Sequence, residues 1–73
     1  MKKIICNNSA SKSVNFFSNN NGANIHAFAE QDGEYWFTIG SFKTLAGAKR
    51  STIKQMARLG YTFDEKQMKA LAV

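Results

Sequence analysis

Apolar and polar residues alternate in short runs over the first half of this chain and recur at helical spacing over the second. Residues 3–6, and residues 13–17 with Val14 and Phe16 set against Ser13, Asn15 and Phe17, predict two short strands. Residues 18–22, Ser-Asn-Asn-Asn-Gly, predict a turn or loop, because Asn and Gly tolerate the left-handed backbone that turns require. The clearest local signal is residues 24–31, then Asp32-Gly33, then residues 34–41. Asp-Gly between two β-prone runs favours a two-residue type I′ turn with positive φ at both central positions. Such a turn pairs Gln31 with Glu34, Glu30 with Tyr35, Ala29 with Trp36, Phe28 with Phe37, Ala27 with Thr38 and His26 with Ile39. One face then carries His26, Phe28, Tyr35, Phe37 and Ile39, and the other Ile25, Ala27, Ala29, Trp36 and Thr38.

Residues 43–60 predict a helix with Thr44 as N-cap and Gly60 just past the C-terminus, where a left-handed residue is favoured. Leu45, Ala48, Thr52, Ile53, Met56 and Leu59 form its expected buried stripe. On the opposite side Arg50, Lys54 and Arg58 stand four apart, a basic ridge with Lys43 and Lys49 near its edge. Thr62 and Glu65 then have the spacing of a capping box ahead of a short second helix, with Tyr61 and Phe63 packing it back. The expected architecture is α+β: a small antiparallel sheet of about three strands, one amphipathic helix packed on one face, and a short C-terminal helix. The larger, phenylalanine-bearing face is the expected seat of the helix. That leaves Ile25, Ala27, Ala29 and Trp36 for the amino-terminal segment, a second subunit or a partner. In the reversed arrangement Phe28, Tyr35, Phe37 and His26 form an open stacking platform of the kind single-stranded nucleic acid uses.

Length bounds this picture. The 73 residues make one domain, and a chain so short buries only about 60% of the surface it exposes when unfolded. Its 44% hydrophobic content is that of a globular chain, with residues 7–24 polar, Asn-rich and expected to be a looser front end. The apolar run after Met1-Lys2-Lys3 stops at Asn7, short of the roughly 7–15 residues of an export signal. No run approaches the ~20 residues of a membrane span. A lone Cys6 and a lone His26 give no disulfide framework and no Cys/His metal set, so no cofactor is expected and a reducing cytoplasm fits best.

The formal charge of +5, with a pI near 9.7, favours an anionic partner. From Lys43 to Arg58 there are five basic residues and no acid, whereas residues 24–42 hold Glu30, Asp32 and Glu34 with no Lys or Arg. A phosphate backbone is therefore expected to meet Lys43, Lys49, Arg50, Lys54 and Arg58 and to avoid the hairpin tip. Catalysis is not expected, since His26 faces Ile39 in the expected register and Cys6 has no acid–base partner. The expected function is a small non-catalytic protein that contacts DNA or RNA phosphates through a helix face. The alternative is a phage-type protein-interaction module, an anti-CRISPR-like or host-takeover inhibitor of a host or defence protein, working through the open sheet face with Trp36, Ala27 and Ala29. A homodimer through that face is compatible with either.

The stretch "IGSFKTLAGAKR", residues 39–50, resembles the last strand and helix start of the three-stranded DNA-binding domains of plant ethylene-response factors and of some phage and transposon integrase amino termini. The resemblance implies a strand meander with one helix behind it. It covers Gly40 and Phe42 at the strand's end, Thr44 as cap and Ala48 on the helix's inner face. It does not extend to contacts with DNA, because the hairpin has no Arg and Trp36 falls at no matching position. Residues 52–71 also resemble a helix-turn-helix, although Asp64 and Glu65 at the second helix's start would repel phosphates.

Overall fold

The computed structural model describes residues 2–19 and 24–72, so the predicted turn at residues 18–22 lies mostly outside the described residues. Four antiparallel strands follow one another in space as they do in sequence: β1 (Lys2–Cys6), β2 (Ser9–Ser18), β3 (Ile25–Gln31) and β4 (Glu34–Phe42). Two helices, α1 (Leu45–Arg58) and α2 (Glu65–Ala70), complete an α+β fold with four strands rather than about three. The fourth comes from the polar segment, where Ser9–Ser18 forms the longest strand and buries Val14 and Phe16 completely. The strand expected at residues 13–17 is its second half, extended back to Ser9, with its polar residues on the other face. There Ser13 and Asn15 are also buried, the latter donating from Nδ2 to Glu30.

At the hairpin the turn chemistry holds. Asp32 (φ 54°) and Gly33 (φ 82°) both adopt positive φ, and Gln31 pairs with Glu34 and Glu30 with Tyr35. The expected register then fails twice. Trp36 is an inserted residue, so Ala29 meets Phe37 and Phe28 meets Thr38; Ile39 is a second, so Ala27 meets Gly40 and His26 meets Ser41. Each such bulge adds one residue to β4 and reverses which face its side chains take. Phe37 and Ile39 thereby join Ala27 and Ala29, and Ile39 is buried.

The helices therefore cover the alanine face, not the phenylalanine face. Ala48, Met56 and Met68 close over Ile4, Val14, Phe16, Ile25, Ala27, Ala29 and Ile39 in one core. Small side chains at Ala27, Ala29 and Ala48 permit close approach of helix and sheet, which a row of phenylalanines would prevent. Thr44 caps α1 as expected, its Oγ1 accepting from the Gly47 N–H at 3.0 Å. At the far end the Tyr61 N–H donates to the Met56 carbonyl and the Gly60 N–H to that of Ala57, with Gly60 at φ 91°. These two bonds make a Schellman motif.

Two details of the helices differ from expectation. Ile53 and Leu59 are 47% and 50% exposed, and the buried stripe is Ala48, Thr52 and Met56 with Leu45 half-buried. Gln55 takes the sheet-facing place, its Nε2 donating to the Ile39 carbonyl at 3.1 Å, because the bulge leaves that edge oxygen free to accept. Asp64, not Thr62, caps α2, accepting from the Lys66 N–H at 3.2 Å. Thr62 is occupied elsewhere. The β1–β2 turn grips the α1–α2 linker through the Asn7 N–H to the Thr62 carbonyl (2.9 Å), the Thr62 N–H to Asn8 Oδ1 (3.1 Å) and Asn8 Nδ2 to the Gly60 carbonyl (2.8 Å). The Thr62 hydroxyl also donates to Asn7 Oδ1.

Met56→Ala should cost about 2–5 kcal/mol, as buried large-to-small changes do. Ile53→Ala should cost under about 1 kcal/mol, since its side chain is already half in water; urea unfolding of the two variants measures the difference. Thr52 Oγ1 is buried with no hydrogen-bond partner. Thr52→Val should thus leave stability unchanged or raise it by about 1 kcal/mol, and a lowered urea midpoint would show that the hydroxyl is satisfied in solution.

Candidate functional site

Seven basic residues stand against two acidic ones from residue 43 onward, and three against three before it. The whole +5 excess therefore belongs to the helical half. Arg50, Lys54, Arg58 and Lys43 are exposed, and Lys49 is half-buried with its Nζ donating to the Lys69 carbonyl at 3.4 Å. Among the described residues the ion pair is Lys3–Glu30, at 3.0 Å on the sheet, so the ridge cations face water without an acidic partner. Successive members at four-residue spacing drift around a helix by about 40°. Arg50 accordingly borders a groove of about 530 Å³ between α1 and α2, floored by Ile53 and Met68 and also edged by Lys49, Lys69 and the acidic Glu65. Lys54 and Arg58 turn toward the side on which Gln55 reaches β4.

Among the described residues no element packs over the other sheet face, which is aromatic. Phe17 stacks on His26 with centroids 5.0 Å apart and planes 26° from parallel. Phe28 meets Phe17 edge-on at 6.0 Å and Tyr35 at 6.1 Å, so four rings form one continuous shelf across β2, β3 and β4. Thr38, Gly40 and Ser41 complete the lining of a shallow concavity of about 400 Å³ above it. Tyr35, 64% exposed, holds its hydroxyl 2.8 Å from Thr38 Oγ1, and His26 Nδ1 lies 2.6 Å from Ser41 Oγ. His26 thus faces Ser41, not Ile39. The bond ties β3 to β4.

The shelf is the reversed arrangement with one exchange: Phe37 has left for the core and Phe17 has taken its place. The sequence puts Phe17 in a strand but not on this shelf, because the β2–β3 register depends on contacts distant in sequence. Its signal was its position beside Phe16, which in a strand sends one ring to each face.

Trp36, Ala27 and Ala29, expected to meet a partner, do not form an open surface. Ala27 and Ala29 are 1% and 0% exposed. Trp36 packs edge-on against Phe37 (4.9 Å) and Tyr61 (6.0 Å), with Lys12 Nζ 5.5 Å from its ring centroid in a cation–π contact. The bulge at Trp36 places its ring on the helix side. Cys6 is buried, and loss of solvent pushes its thiol above the ordinary range, so it is a packing residue. Among the described residues no three His, Cys, Asp or Glu side chains gather to hold a metal ion, and no helix is long and apolar enough to cross a membrane.

Comparison with known proteins found no matching family model, no matching curated protein and no matching solved structure. The likeness of residues 39–50 to the three-stranded DNA-binding domains rests on those residues alone.

On the shelf's β1 side Glu30 is held below the usual glutamate range, first by its hydrogen bond to Lys3 and then by that to Asn15, against the opposing effect of burial. A carboxyl with a depressed folded pKa contributes stability above its unfolded value and loses it as pH falls through the folded one. Carboxyl NMR titration should therefore show Glu30 protonating at a lower pH than in its Lys3→Ala variant. Superimposable Glu30 curves would mean that the ion pair does not persist.

Proposed function

We propose that this protein binds nucleic acid without catalysis, through phosphate contacts made by Arg50, Lys54 and Arg58 with Lys43 and Lys49 at the margin. The observation that carries the reading is the confinement of the whole excess charge to the helical half, while the sheet half is neutral. A polyanion docking there releases its condensed counterions, the main source of affinity for a basic surface without base-reading groups. Asp32 and Glu34 at the exposed hairpin tip orient the encounter by repelling phosphate. The lone, reduced cysteine suits a cytoplasmic setting.

A second reading is a protein-interaction module, a phage-type inhibitor of a host or defence protein. The uncovered aromatic face favours it, now in the form of Phe17, Phe28 and Tyr35 in place of Trp36. It gives no reason for the charge asymmetry, and for that reason it ranks second.

Titration of labelled mixed-sequence oligonucleotides at several salt concentrations tests the first reading. Three neutralised phosphates predict that log K falls against log salt with a slope of about −2 to −3. The Arg50→Glu/Lys54→Glu variant should bind at least about tenfold more weakly, since it exchanges two attractions for two repulsions. Salt-independent binding, or a charge-reversed protein that binds as well as the original, overturns the reading.

A further inference from the structure

The ridge and the aromatic shelf lie on opposite layers, with Lys54 and Arg58 turned toward the β4 side of α1 and Arg50 toward the α1–α2 groove. β4 ends the strand order, and Gln55 fastens α1 to that strand at Ile39. The Tyr61–Trp36 contact just beyond α1 shows that the helix runs back along β4, which sets the turn of Lys54 level with the strand's middle and the turn of Arg50 level with its Phe42 end. On the other side of the β4 edge stand Tyr35, Thr38 and Ser41, the β4 members of the shelf.

We infer that the nucleic acid is single-stranded, and that it passes over the β4 edge so that the phosphates of one stretch meet the ridge and the unpaired bases of the next stack on Phe28, Tyr35, Phe17 and His26. This inference rests on the phosphate-binding reading and deepens it. Charge complementarity selects the occupant. Among the described residues the shelf holds no unpaired acid, because Glu30 is tied to Lys3 and Asn15, and Lys54 and Arg58 turn toward the adjoining edge. Flat rings in mutual contact present the π-surface on which bases of any sequence stack. The hydroxyls of Tyr35, Thr38 and Ser41 add acceptors and donors for base edges. A duplex keeps its bases stacked internally and has no ring to offer the shelf. Asp32 and Glu34 hold the backbone off the hairpin tip.

The test compares three probes of equal length on the intact protein: an oligothymidine, an abasic strand and a blunt duplex. Oligothymidine should bind about 5- to 150-fold more tightly than the abasic strand, the range that one stacked base supplies. Tyr35→Ala and Phe28→Leu should bring oligothymidine down to the abasic level and leave abasic binding unchanged. Tyr35 is mostly in solvent and Leu preserves the apolar cover, so circular dichroism melting should find both folded. Arg50→Glu/Lys54→Glu should weaken oligothymidine and abasic strand alike. Equal affinity for oligothymidine and abasic strand with unaltered shelf variants removes the shelf inference and leaves the ridge in place. Preference for the duplex also removes it. Failure to bind any probe removes both readings.

Discussion

Two extra residues in β4 decide the architecture. Had the strand kept the even register that its Asp-Gly turn begins, Phe37 and Ile39 would lie beside Phe28, and the alanine face would lose their apolar volume from its core. Inserting Trp36 and then Ile39 moves Phe37 and Ile39 onto the alanine side. The result is one face with enough apolar volume for a core and small enough residues for a helix to approach. In a domain that buries only about 60% of its unfolded surface, a second core on the far side is out of reach, so the phenylalanine side stays in water.

The same insertion orients the helix. An edge carbonyl at Ile39 becomes available to Gln55, and α1 is rotated until Gln55 faces the strand and Ile53 faces outward. The Schellman motif stops the helix at Leu59, and the grip of Asn7 and Asn8 on Gly60 and Thr62 fixes where the chain goes next. That grip joins the chain's first turn to its last linker, more than fifty residues apart, and it displaces the expected capping box by using Thr62 for a tertiary contact. With the helix held at both ends, the direction of the basic ridge follows.

Charge and aromatic surface have been separated onto two layers that share an edge. Phosphate binding needs exposed cations free of carboxylates, which a helix at the C-terminal end of the chain supplies. Stacking needs flat rings on a rigid support, and an antiparallel sheet with one bare face is such a support. Asp32 and Glu34 stand at the hairpin tip, Glu30 is paired with Lys3, and Asp64 and Glu65 lie at the start of α2, apart from the α1 ridge itself. The α2 helix, at six residues, is too short to serve as the recognition helix that the likeness of residues 52–71 to a helix-turn-helix implies. Its work is to bury Met68 and to shape the groove beside Arg50.

Local chemistry was readable from the sequence by itself. The I′ turn at Asp32-Gly33, the Thr44 cap, the Gly60 terminus, the exposed ridge and the two-helix order depend on backbone preferences or helical period acting within a few residues. The face that the helices cover was decided only in the tertiary structure. A bulge leaves almost no mark on composition, and a single inserted residue reverses the face of every side chain that follows it until the next. The rotation of the α1 stripe and the capture of Thr62 by Asn7 and Asn8 were hidden for the same kind of reason, since each depends on a partner distant in sequence. Phe17 illustrates the divide. Its facing opposite to Phe16 is a property of any strand, but its place on a shelf with His26, Phe28 and Tyr35 exists only once three strands have paired.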